Sequence, residues 1–190
     1  MSRGNGRVSA GLCAVCLLFG VAVALAQGEA RQSLTGVKVA PAMYVAWESR
    51  RSPMAHLDKD MAKTFQELWQ SCTDNGLHPI GTPIMSVDQE EVPGDTLDWQ
   101  AWIPIADQPK PEDLAEKAAV RVKAVPAATV AFTYHYGAPF DLQDTFLKLA
   151  AWAMGEGFQV AGKVRAFVYV WPGNKDEKYI VTECQLEYTK

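Results

Sequence analysis

Val37-Lys-Val-Ala-Pro-Ala-Met-Tyr-Val-Ala46 reads again as Val122-Lys-Ala-Val-Pro-Ala-Ala-Thr-Val-Ala131, with six of ten positions identical at one fixed offset. The chain that follows each copy repeats the same order of elements. After the first, residues 42–47 form a short apolar run that predicts a strand. Asp58 then reads as an N-cap for a helix carrying Met61, Phe65, Leu68, Trp69 and Cys72 at three- to four-residue spacing, stopped at Asn75-Gly76. Two further strands are expected over 82–87 and 97–105, separated by an acidic Pro-Gly turn region, 88–95. The second copy gives a strand over 127–136 and a helix over 141–154 with Leu142, Phe146, Leu149 and Trp152. Gly155 and Gly157 stop that helix, and strands over 162–171 and 179–188 flank a turn at 172–175.

Each copy is thus β-α-β-β. One such unit leaves an apolar face uncovered, so it must pack on its twin. The expected fold class is α+β: duplicated units with pseudo-twofold symmetry, antiparallel sheets, helices on one face and a ligand crease between the units. Copy one spans 36–108 and copy two 120–190, joined by a Pro-containing linker, 106–119, with a short helix over 112–119.

The segment before the repeat has a different character. Arg3 and Arg7 precede an apolar run over 8–24, and Ala24-Leu25-Ala26 fits a small-residue cleavage site. The run is short for a membrane span. Residues 1–26 therefore read as a signal peptide and 27–35 as a linker, so the expected location is exported, periplasmic or secreted, with no membrane association after cleavage. The formal charge is −4 for all 190 residues; loss of Arg3 and Arg7 leaves 16 basic against 22 acidic side chains, or −6. Nucleic acid is not an expected partner of such a chain. Lys117, Arg121 and Lys123 form its one modest basic cluster, read as a solvated helix end and strand edge. Export allows a disulfide between Cys72 and Cys184, the alternative being two buried thiols. His56, His78 and His135 are scattered, and no phosphate loop, metal-spaced cluster or nucleophile elbow is present, so neither metal nor cofactor is called for.

The layout resembles the GyrI-like (gyrase-inhibitor-like) small-molecule binding domain, also found as the effector-binding domain of multidrug regulators. The likeness rests on Pro126-Ala127 to His135-Tyr136-Gly137, on Leu142, Leu149 and Trp152, on Gly155 to Gly162, and on Thr182-Glu183. It covers about residues 36–190. The resemblance implies a ligand in the inter-unit crease, with the carboxylate of Glu183 anchoring cationic aromatic compounds. Strand parity agrees: Ile180, Thr182, Cys184 and Leu186 share one face, which suits the helices, while Val181, Glu183, Gln185 and Glu187 share the other.

Gln100 is the copy-one equivalent of Glu183. Trp99, Trp102, Trp47 and Trp171 are aromatic candidates for the walls, with Trp99 and Trp47 the preferred pair. The chain departs from the family pattern where Arg165 and Phe167 stand in place of a Glu and a Tyr. Arg165, Phe167 and Tyr169 share one face, and Arg165 is placed to pair with Glu183, leaving room for a neutral or an anionic aromatic ligand.

The expected function is an exported protein binding an aromatic or hydrophobic small molecule, cationic ones included. The alternative is a hydrolase of strained or electrophilic compounds, with Glu183 as general base and Tyr134 or Tyr169 donating a hydrogen bond. The oligomeric state is open.

Overall fold

A computed structural model of the protein describes residues 34–88, 95–106, 108–109, 120–137, 142–169 and 180–189. The expected signal peptide, the helix over 112–119, the turn at 172–175 and Trp171 lie outside the described residues. The strands are β1 (Gly36–Ala40), β2 (Met43–Pro53), β3 (Ile84–Asp88), β4 (Thr96–Ile105), β5 (Val122–Val125), β6 (Ala128–Tyr136), β7 (Gln159–Val168) and β8 (Val181–Thr189). The helices are α1 (Leu57–Asp74) and α2 (Leu142–Gly155).

The repeated stretch that opens each copy is two strands, not one. Pro41 separates β1 from β2, and Pro126 separates β5 from β6. Proline has no N–H to give a ladder, so the strand breaks there and its two parts pair separately. β2 and β6 enter the sheet beside their own copy. β1 crosses to pair antiparallel with β6, while β5 crosses to pair with β2. Each copy thus lends its leading strand to the other.

The eight described strands form one antiparallel sheet in the order β1-β6-β8-β7-β3-β4-β2-β5. Exchanging β1 with β5, β2 with β6, β3 with β7 and β4 with β8 reverses this order onto itself. The pseudo-twofold therefore passes through the β3–β7 pair, where Met85 opposes Ala166. The two halves are continuous across this seam, so the expected crease is a stretch of one sheet surface.

Both helices cover the same face. Leu57, Met61, Phe65, Leu68 and Cys72 of α1, and Leu142, Leu149 and Ala153 of α2, pack with Trp99, Ala101, Ile103, Ala166, Val168, Cys184 and Leu186. The opposite face holds a smaller apolar cluster of Val45, Ile84, Trp102 and Val125, with Met43, Trp47 and Phe167 against it. The α1 stop works as the sequence predicts, and α2 ends the same way. Gly76 and Gly157 take φ of 74° and 81°, and the residues after them donate back, Leu77 N to Cys72 O and Phe158 N to Ala153 O, each at 3.0 Å. Asp58 is not the N-cap: a 3-10 turn over Met54–His56 leads into the helix, which places Asp58 and Asp60 in its first turn.

Of the two readings for the cysteines, the structure shows two buried thiols and no disulfide. Cys72 and Cys184 are both free and buried, one on the inner face of α1 and the other on β8 beneath α2. Burial pushes the Cys72 thiol up to about 11 and the Cys184 thiol up as well, with the Glu183 charge adding to the latter. No helix among the described residues is long and apolar enough to cross a membrane.

Candidate functional site

The helix-free face is built from two cross-strand rows. Directly opposed residues of antiparallel strands share a face. One row runs Trp47, Trp102, Ile84, Phe167, Glu183, Tyr134; the next runs Ser49, Gln100, Ser86, Arg165, Gln185, Phe132. The pseudo-twofold exchanges the rows, so Gln100 occupies on one half the place that Glu183 occupies on the other.

Glu183 is 1% exposed yet carries a charge. Its Oε1 accepts from Lys38 Nζ of β1 and from Gln185 Nε2 at 2.6 Å, and its Oε2 accepts from Tyr169 Oη at 2.8 Å. Tyr134, directly opposite on β6, also bonds to it. Burial pulls the Glu183 carboxyl upward, but the donors Lys38, Gln185 and Tyr169 and the Lys38 charge outweigh it, and the carboxyl sits below its usual range. Burial and the same carboxylate push the Tyr169 and Tyr134 phenols up.

The other half is cationic over indole. The Arg121 guanidinium lies 4.2 Å and Lys123 Nζ 4.4 Å from the Trp47 ring centre. Lys123 Nζ is also 4.3 Å from the Trp102 centre, with Arg165 at 5.6 Å and Lys163 at 5.9 Å. Gln100 Oε1 accepts from both Lys123 Nζ at 2.6 Å and Trp102 Nε1 at 3.0 Å. Burial, then the charges of Lys163, Arg121 and Arg165, pull the Lys123 ammonium down to about 8 against a smaller opposing pull from Asp88. Arg165 is 2% exposed and pairs through Nη2 with Glu187, while its Nε and Nη1 and the hydroxyl of Ser86 have no hydrogen-bond partner among the described residues. Next to this cluster a cavity of about 420 Å³ is lined by Ser49, Ser86 and Gln100 of the second row together with Arg50, Arg51, Asp88, Asp98 and Trp99.

No protein-family model and no curated protein sequence matches the chain. Solved structures do. The EcmrR C-terminal domain aligns with a TM-score of 0.69 at 18% identity, over 84% of this chain and 99% of that one. A hydrolase from Listeria innocua aligns at 0.57 and 11% identity, over 90% and 98% of the two chains. SAV2435 bound to tetraphenylphosphonium aligns at 0.50 and 11% identity, over 82% and 94%. The fold is shared with these structures and is consistent with the GyrI-like one. Identities this low carry the fold alone.

On this sheet, the β8 parity reading holds: Cys184 and Leu186 meet the helices and Glu183 faces away from them. Phe167, Tyr169, Tyr134, Trp47, Gln100 and Arg165 lie on the Glu183 side. Trp99 does not. It is 2% exposed on the helix face, edge-on to Phe65 at 6.0 Å, and its Nε1 donates to Ser52 Oγ at 3.1 Å. Adjacent strand residues point to opposite faces, so Trp99 and Gln100 could not both wall one cleft.

The Arg165–Glu183 pair is also corrected: Arg165 takes Glu187, four residues along β8 from Glu183, and Lys38 takes Glu183. Sequence reasoning missed Lys38, placed Gln185 and Glu187 on this face without a role, and read Arg121 and Lys123 as a solvated edge when they lie on Trp47. The repeat held the signal, since Lys38 and Lys123 occupy the same position in the two copies of the opening stretch. His135 is a core hydrogen-bonder, its Nδ1 2.8 Å from Thr145 Oγ1.

Proposed function

We propose that the chain binds a small aromatic or hydrophobic molecule against the helix-free face of its sheet. The observation that carries this reading is the face itself: aromatic side chains gathered around buried charged groups. Such a mixture of apolar walls and a few fixed polar groups suits a ligand better than it suits a core. Tyr169 is 49% exposed and Trp47 partly so, which leaves ring surface for stacking. The structural relative SAV2435 holds an aromatic cation. Because Lys38 already neutralises Glu183, the ligand of this chain need not be cationic.

The test is thermal unfolding with tetraphenylphosphonium and with neutral and anionic naphthalenes. Ligand at a hundred times its Kd raises stability by about 2.7 kcal/mol. A melting temperature unmoved by every probe at millimolar concentration removes the proposal. A second reading, hydrolysis with Glu183 as base, has one geometric support, the Tyr169 and Tyr134 contacts to the carboxylate. Against it stands the lowered carboxyl, whose oxygens already accept from Lys38, Gln185 and Tyr169. Turnover lost in Glu183→Gln with binding retained would replace the binding reading.

The proposal also places the mature chain outside the cytoplasm, with no nucleic-acid partner. Recovery of cytoplasmic protein with Met1 intact would reverse the localisation.

A further inference from the structure

The lysine repeated between the two copies has met different fates. On the copy-two half, Lys38 closes on Glu183. At the equivalent place on the copy-one half, Lys123 closes on Gln100, a neutral amide. The scaffold is the same and the carboxylate is missing. Of the neighbouring cations, Lys163 is held by Asp88 at 2.9 Å and Arg165 by Glu187, whereas neither Lys123 nor Arg121 has an ion pair among the described residues. Three buried polar atoms in the adjacent row, Ser86 Oγ, Arg165 Nε and Arg165 Nη1, also lack partners among the described residues. Both Trp rings here are faced by ammonium or guanidinium groups that repel one another.

We propose that this half is a subsite for the anionic group of an aromatic ligand, Lys123 and Arg121 taking the carboxylate, sulfonate or phosphate while its ring stacks on Trp47. The inference rests on the binding reading above and names the ligand class for it. An external anion supplies the charge that Gln100 does not, and it lies beside donors with capacity to spare.

Binding is read by tryptophan fluorescence with naphthalene-2-sulfonate, naphthalene-2-methanol and tetraphenylphosphonium. The sulfonate should bind about tenfold or more tightly than the alcohol, and Lys123→Gln and Arg121→Gln should each cancel most of that advantage. Gln100→Glu restores the Lys–Glu pair from within: it should raise the melting temperature and reduce sulfonate affinity at least about tenfold. Sulfonate and alcohol binding alike, or a sulfonate affinity unchanged in Lys123→Gln and in Gln100→Glu, overturns the subsite while leaving the binding function standing. Absence of binding by all three probes overturns both.

Discussion

Lys38 and Glu183 are 145 residues apart in sequence, and nothing in the periodicity of either strand announces the pair. Parity placed Glu183 on the correct face; the identity of its partner depends on which strand lies beside β8 and how β1 reaches over it. The same parity, applied to β4, would have set Trp99 apart from Gln100. Two predictions belong here. Lys38→Met strands a buried carboxylate and should cost about 1–3 kcal/mol, read by urea unfolding, and much of that loss should vanish when Glu183→Gln is added. Because the folded Glu183 carboxyl lies below its ordinary 4.5, its stabilising contribution is complete above that pH and fades as pH falls through the folded value. Glu183→Gln should therefore lose stability less steeply than the parent under acid. Lys123 works in the opposite sense. Its folded value, about 8 against 10.5 in the unfolded chain, means that folding expels a proton between those values. Stability should rise through that window, and a Lys123→Gln variant should lack the rise.

The elements were largely legible. Helical stripes, glycine stops and alternating runs mark local geometry, and local geometry is what sequence period reports. The strands expected from the sequence begin at 42 and 127, after each proline, and so miss β1 and β5 on the other side; each is a short strand that pairs with the opposite copy, which its own pattern does not report. Gly76 and Gly157 permit a definite expectation. Each has positive φ, and a methyl group added there would meet no atom within 4 Å, so the cost of alanine is purely conformational. Gly76→Ala and Gly157→Ala should each destabilise by about 1 kcal/mol, seen as a lowered urea midpoint with unchanged slope.

At the scale of the molecule, the α+β class with helices on one sheet face was legible, but the continuity of the sheet was not. The seam at Met85 and Ala166 depends on pairing between strands of different copies, which no local signal encodes. Both cysteines lie in the core this sheet shares with the helices. Neither Cys72 nor Cys184 should react with an aromatic disulfide reagent in the native protein, and both should react at once in denaturant; fast labelling of the native state would contradict their burial.

The crossing of β1 and β5 bears on how the chain can be made. An N-terminal half synthesised alone ends before the strand that closes its edge at β2, and a C-terminal half begins after the strand that closes its edge at β6. Each fragment would emerge with an open ladder, a surface prone to aggregate. Cut between the copies and produced together, the two pieces should assemble into a soluble heterodimer; produced singly, they should not. The two halves should therefore be each other's obligatory complement.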